Sequence, residues 1–304
     1  IVIPILLATY QRLSQMQEAD ESLGTINFLN KHKTLSPFKL QSNIQASHDR
    51  HSNDGDTPGP VMYSRVRKDR TGAAIQDMLM AHAFAFSEGV PYGGACGDGT
   101  HDMNAKRLID SLGLSDELRF SCPKTRRSGM ILNQQDYYTK DTAIFTREWL
   151  TFVQSKVKYN PIRTVNEKTI NMAVHIRRGD VNPCKYPNRY LPNLHYLNVI
   201  DNVIQDVTAK SSKGVNITIY SETESFETWD DFRNRNLKVN VQDDLVLIWK
   251  EMINADILVM SKSSFSLVPA LLSRGTVLYT PFWHKPLAHW RIVDTKTMDS
   301  TNLE

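Results

Sequence analysis

The stretch Ala173-Val174-His175-Ile176-Arg177-Arg178-Gly179-Asp180 decides how this chain folds. An apolar run that ends abruptly in two arginines, a glycine and an aspartate reads as a buried strand over 172–176 feeding a charged loop. Working outward, Leu194, Leu197, Ile200, Ile204 and Val207 recur at helical spacing and mark one face of a helix. Strands follow over 217–221 and 237–241, with a helix over 225–234 between them. Asp243-Asp244 open a helix carrying Leu247, Ile248 and Met252. A strand over 257–260, a helix over 267–273 ending at Gly275, and a strand over 276–280 complete the series. Five strands alternating with four helices predict an α/β fold with a parallel, doubly wound sheet. Such a sheet takes ligands outside the carboxyl ends of its strands.

Upstream, the residues before Pro60 are weakly patterned, and 41–60 are rich in Ser, Asn, His, Asp, Gly and Pro, so 1–59 reads as a loop or stem. From Pro60 a strand over 61–66 leads through the basic residues Arg65, Arg67, Lys68 and Arg70 into Thr71-Gly72. A long helix over 73–87, closed by Gly89, carries Ile75, Leu79, His82, Ala83 and Phe86 at helical period; His82 reads as a core histidine. A second strand is expected over 90–96, and further helices over 102–112 and 142–157. The predicted division is therefore 1–59, a first α/β lobe over 60–170, and a second over 171–304.

Composition narrows the function classes. The chain has 304 residues, 40% of them hydrophobic and 23% charged, as expected of a globular protein with one large or two ordinary domains. A net charge of +3 gives no footprint for nucleic acid but suits a small anionic ligand. The three cysteines, Cys96, Cys122 and Cys184, are scattered without zinc-ligand spacing, so no metal site is expected, and an odd count leaves at least one unpaired within the chain. Neither Gly-x-x-x-x-Gly-Lys-Ser/Thr nor Gly-x-Gly-x-x-Gly occurs at a strand-to-helix turn, which disfavours kinases and NAD-dependent enzymes. The apolar run 1–8 is too short to span a bilayer. It reads either as the tail of a signal or anchor segment or as an edge strand.

Two loops carry the chemistry. Arg177 and Arg178 present planar donor forks that match phosphate oxygens and stay charged at any working pH. Gly179 permits a tight turn beside a ligand, and Asp180 can orient an arginine or meet a sugar hydroxyl. The competing reading is a structural ion-pair cluster at a strand end. After the strand over 257–260 comes Ser261-Lys262-Ser263-Ser264-Phe265-Ser266. Pro269 belongs in a helix's first turn, which makes Ser266 the expected N-cap. Serine hydroxyls, backbone amides and a helix N-terminus then converge on one point, an arrangement that binds phosphate. An ordinary serine cap without a ligand is the alternative.

His175-Ile176-Arg177-Arg178-Gly179-Asp180 resembles the His-x-Arg-Arg-Gly/Thr-Asp motif of the GDP-fucose-dependent α1,2- and α1,6-fucosyltransferases. Ser263-Ser264-Phe265-Ser266, behind the strand that begins near Ala255, is similar to their serine-rich third motif. Tyr220-Ser221-Glu222-Thr223-Glu224 takes the place of their acidic second motif, and Arg70-Thr71-Gly72-Ala73-Ala74-Ile75 resembles the glycine-containing turn that opens their N-terminal lobe. The likeness covers roughly residues 60 to 285, in the same order along the chain.

The resemblance implies a GT-B architecture of two Rossmann-like lobes, with the donor in the C-terminal lobe and a glycan or glycoprotein acceptor in the cleft. It implies inverting transfer from GDP-fucose, the donor substrate, without metal or other cofactor, in the Golgi lumen or, in microbes, the cytoplasm. Carried over by motif, Arg177 holds the β-phosphate, His175 and Asp180 shape the nucleotide pocket, and Ser263, Ser264 and Phe265 cradle the pyrophosphate. Arg177, Arg178 and the serine loop would stabilise the leaving group, and Asp244 is a candidate for guanine, although aspartates at helix starts commonly serve as caps. The general base is unassigned. The α1,6 enzymes carry a carboxylate soon after the arginine motif, whereas here Val181-Asn182-Pro183-Cys184-Lys185 follows. Glu222, Glu224, His101 and Asp102 are substitutes, each of which also reads as a solvated surface residue. Trp283, His284, His289 and Trp290 read either as an acceptor-cleft lining or as a partly exposed cap on the core. A non-catalytic nucleotide- or glycan-binding relative, or a transferase using another nucleotide sugar, remains the alternative function.

Overall fold

Among the described residues, nine parallel strands fall into two sheets. The computed structural model describes residues 61–67, 69–97, 103–125, 129–158, 168–222, 225–241 and 244–293. The predicted stem and the candidates His101, Asp102, Glu224 and Asp243 lie outside those residues, and the expected lobe boundary at 170/171 falls within the strand Thr169–His175.

The first sheet has the order β2-β1-β3, from β1 (Met62–Arg65), β2 (Tyr92–Cys96) and β3 (Met130–Ile131), all parallel. Between β1 and β2 runs the long helix α1 (Thr71–Ser87), apolar on nearly every face and buried along most of its length. Such a helix belongs in the middle of a core rather than on a surface. Gly89, at φ +68°, follows its last turn in the left-handed conformation, and Val90 N donates back to Ala85 O, so the predicted glycine stop stands. His82 is buried, accepts from Trp149 Nε1 at 2.8 Å, and is a core residue as read from sequence. Then come α2 (Met103–Leu112), α3 (Gln134–Tyr138), a 3₁₀ turn (Asp141–Ile144) and α4 (Arg147–Lys156). The predicted continuous helix over 142–157 is thus broken, because Thr146 acts as an N-cap, its hydroxyl accepting from Trp149 N at 3.2 Å. A disulfide joins Cys96, at the end of β2, to Cys122, leaving Cys184 free and exposed.

The second sheet has six strands in the order β6-β5-β4-β7-β8-β9. These are β4 (Thr169–His175), β5 (Gly214–Tyr220), β6 (Lys238–Asn240), β7 (Ile257–Val259), β8 (Thr276–Tyr279) and β9 (Arg291–Ile292). The chain steps outward from β4 to β5 and β6, then returns to the other side of β4 to lay down β7, β8 and β9. That is the doubly wound order of a Rossmann-like sheet, with its switch point between β4 and β7. The helices α5 (Asn193–Lys210), α6 (Asp230–Arg233), α7 (Leu245–Ile253) and α8 (Ser264–Leu272) connect the strands. One apolar cluster packs Met172, Val174, Ile200, Ile219 and Phe232 on one face of this sheet. The other runs without interruption from Leu79 and Trp149 to Trp249 and Leu267.

Three further expectations need correction. The helix predicted over 225–234 is reduced to the single turn α6, because the preceding residues are committed elsewhere: Glu227 accepts from Asn193 N at 2.8 Å, and Thr228 O accepts from Asn193 Nδ2 at 2.8 Å. The N-cap of α8 is Ser263, not Ser266, and Pro269 sits inside the helix rather than in its first turn. The buried Ser266 hydroxyl instead donates to the carbonyls of Ser261 and Ser263, each at 3.2 Å. Finally, β9 adds a sixth strand that the sequence reading did not contain.

Candidate anion-binding site

β4 and β7 are hydrogen-bonded neighbours, so the loops that leave their carboxyl ends, the arginine loop and the serine loop, lie side by side at the switch point. His175 ties them together. Its Nδ1 is 2.7 Å from Ser261 Oγ, and its ring packs on Phe265 with centroids 5.1 Å apart. Burial, and secondarily the charges of Arg177 and Arg178, push His175 down to about 3, so it is a neutral strut below the site.

A cleft of about 480 Å³ opens above these loops. Two helix N-termini converge on it. Gly72 in the first turn of α1 touches the start of α8 so closely that a Cβ there would lie 2.8 Å from Phe265 Cα and N. α8 carries the Ser263 cap, which accepts from Phe265 N at 3.2 Å. α1 begins differently: its N-cap is Arg70, which makes no side-chain cap bond, and its first turn has no acidic residue. A helix start normally attracts negative charge. Here cations outnumber carboxylates, since Arg67, Arg70, Arg177, Arg189 and Lys262 line the cleft together with Asp69, which accepts from Arg70 N at 2.7 Å, and Glu222.

Arg177 is largely buried and donates to Glu222 and to Asp180. Asp180 also receives Arg70, so one carboxylate holds an arginine from each sheet's first loop. Gly179 makes the arrangement fit: it adopts φ +68°, and a Cβ there would lie 1.7 Å from Glu222 Oε2. Desolvation pulls Arg177 below its usual value, with Glu222 opposing and Arg70 reinforcing the shift. Desolvation also raises Glu222, against the pull of Arg177 and Arg70. Burial thus opposes the charge of both partners. Among the described residues no carboxylate pairs with Arg189 or with Lys262, whose ammonium reaches only the carbonyl of Asn188 at 3.1 Å. The cleft therefore keeps positive charge in excess, over two helix starts, at the place where a doubly wound sheet binds its ligand.

Of the residues expected from sequence, Arg70, Gly72, Arg177, Glu222, Ser263, Ser264 and Phe265 are brought to the cleft. Arg178 is not. It is fully buried on the far side of the loop, donates to Asn193 Oδ1 at 2.7 Å and Glu227 Oε2 at 3.2 Å, and lies 4.7 Å over the Tyr190 ring. Its part in stabilising a leaving group is withdrawn for that reason; it braces the loop against α5. Ser266 is likewise buried beneath the helix start. Asp244 caps α7, accepting from Val246 N at 2.9 Å, and pairs with Arg107. Sequence reading missed Arg67, Gln76, Tyr138, Arg189 and Lys262 in the lining. Arg67 stood in the basic run already noted, while Gln76 is hidden in an apolar helix and Arg189 in a featureless loop. In the C-terminal aromatic group, Trp283 and His284 line the cleft, Trp290 is core and His289 is exposed.

The fold and the site together define an α/β protein with two parallel sheets, Rossmann-like in strand order, with a cationic crevice at its switch point. No protein-family model, curated protein or solved structure matches the chain.

Proposed function

We propose that the chain is a glycosyltransferase of GT-B type that moves fucose from GDP-fucose to a hydroxyl of a glycan or glycoprotein, with inversion and without a metal. The observation that carries this reading is the placement of Arg177 beside two converging helix N-termini at the β4–β7 switch point. As the sugar–phosphate bond breaks, the leaving diphosphate gains charge, and donors fixed around it lower the barrier. Arg177, Arg70, Lys262 and the amide ends of α1 and α8 are those donors. The motif resemblance of 175–180 and 263–266 to fucosyltransferases supplies the sugar and the nucleotide. The disulfide Cys96–Cys122 fits an oxidising compartment such as the Golgi lumen.

One observation favours a second reading, a relative that binds its nucleotide without turnover: residues 181–185 contain no acid where the α1,6 enzymes have one. Incubation with GDP-fucose and a pool of oligosaccharides and glycopeptides, followed by mass spectrometry, separates the two. A mass gain of one deoxyhexose with stoichiometric GDP supports transfer. Tight GDP binding without any product supports the second reading, and neither binding nor product removes both.

A further inference from the structure

An acceptor hydroxyl that attacks a sugar carbon must give up its proton, and the arginine loop offers no free base. The opposite wall of the cleft does. His284, buried but lining the cleft, sits with Nδ1 3.1 Å from Asp141 Oδ1, and the other oxygen of Asp141 accepts from Lys285 N at 3.1 Å. Asp141 occupies this place at φ +49°, a conformation that non-glycine residues adopt sparingly and that clusters at functional positions.

The second ring nitrogen is the informative one. His284 Nε2 lies 2.6 Å from Gln76 Nε2. With the amide nitrogen donating, Nε2 carries the lone pair and Nδ1 the proton shared with Asp141. The same Gln76 leaves its Oε1 buried with no partner. Half a turn of the amide exchanges its two ends and sets that orphan oxygen against Nε2. Oε1 would then accept a proton carried there. The amide can thus face the imidazole with a donor before it takes a proton and with an acceptor afterwards.

We propose that His284, oriented by Asp141 and attended by Gln76, is the proton acceptor for the attacking hydroxyl. The inference rests on the glycosyltransferase reading given above. In the step, the acceptor oxygen bonds to the anomeric carbon while the bond from that carbon to the β-phosphate oxygen breaks. The bonding pair leaves with GDP, and the hydroxyl proton passes to His284 Nε2, the acceptor hydroxyl displacing the Gln76 amide nitrogen that faces it, and on to solvent. Asp141 holds the ring through Nδ1 and stabilises the imidazolium, the part a carboxylate plays in other His–Asp pairs. The other polar groups facing the ring are Tyr138, 6.4 Å away between ring centroids, and Tyr279, whose hydroxyl donates to the His284 carbonyl. Tyr138 in turn is held by Arg67 and Asp77, and Lys285 adjoins in sequence.

The test measures GDP release from GDP-fucose, with lactose and a glycopeptide pool as acceptors, beside calorimetric GDP binding, for wild type, His284→Gln and Asp141→Asn. Thermal unfolding checks that both variants fold. His284→Gln is expected to lose about 100-fold or more in kcat, the usual share of a general base, with GDP affinity unchanged. Asp141→Asn is expected to lower kcat and to displace the acidic limb of the kcat/KM profile, which a purely structural residue would not do. Turnover of His284→Gln at the wild-type rate, a parallel loss of GDP affinity, or an unmoved pH profile in Asp141→Asn each overturns the assignment. If wild type itself fails to bind GDP, the donor reading falls first and the assignment with it, a pattern distinct from intact binding with unaffected turnover.

Discussion

Gly72→Ala should destabilise this protein, although the same change in most helices stabilises. Alanine in place of glycine inside a helix is worth about 0.5–1 kcal/mol, because the unfolded chain loses freedom and the helix gains propensity. At Gly72 the new methyl carbon would sit 2.8 Å from both Phe265 Cα and Phe265 N and 3.1 Å from Ser264 C. Those atoms are backbone and cannot swing aside, so the starts of α1 and α8 must part. Forcing one methyl group into a packed contact costs about 1–3 kcal/mol. The balance is a net loss of up to about 2.5 kcal/mol, read as a lower urea midpoint at unchanged m-value. Because the parted helix ends also form the anion site, GDP should bind more weakly by about 0.3–1 kcal/mol, the worth of one helix terminus toward an anion. A variant that unfolds at higher urea and binds GDP as wild type does would refute the close approach of the two helices, and with it the site's geometry.

Glu222→Gln removes a carboxylate that competes for the fork of Arg177, so inorganic pyrophosphate should bind more tightly by up to about 1 kcal/mol in calorimetry. Burial holds His82 and His195 down at about 4 against an ordinary value of 6.5. The unfolded chain therefore takes up protons that the native state refuses as pH falls from about 6.5 toward 4. The stability these histidines confer is full above that window and lost through it, which urea midpoints at stepped pH will record. Reducing Cys96–Cys122, which are 26 residues apart, should cost about 3–4 kcal/mol by the chain-entropy account, visible as a lower urea midpoint in reductant.

The sheet was readable because a buried parallel strand writes itself as a mostly apolar run, as at 172–176, broken only by His175, and at 217–221, broken by Thr218 and Ser221, and because turn residues punctuate each run. The arginine and serine loops were legible for the same reason: each begins where such a run stops. What sequence could not supply was direction. Arg177 and Arg178 are adjacent and chemically alike, yet alternation along the extended chain sends one to the cleft and the other under α5. Pro269 was misread because a buried helix packed on both sides tolerates a missing N–H that an isolated helix would not. The His284–Asp141 pair spans 143 residues, and nothing local marks its two members as partners.

Calorimetric titration with GDP, on wild type and on Arg177→Ala, with UDP and NAD as controls, tests the central claim most directly. The account predicts selective GDP binding by wild type and a loss of about 1.5–3 kcal/mol in the variant, the scale of a hydrogen bond to a charged group. GDP binding that is absent, matched by UDP and NAD, or indifferent to Arg177 would contradict it.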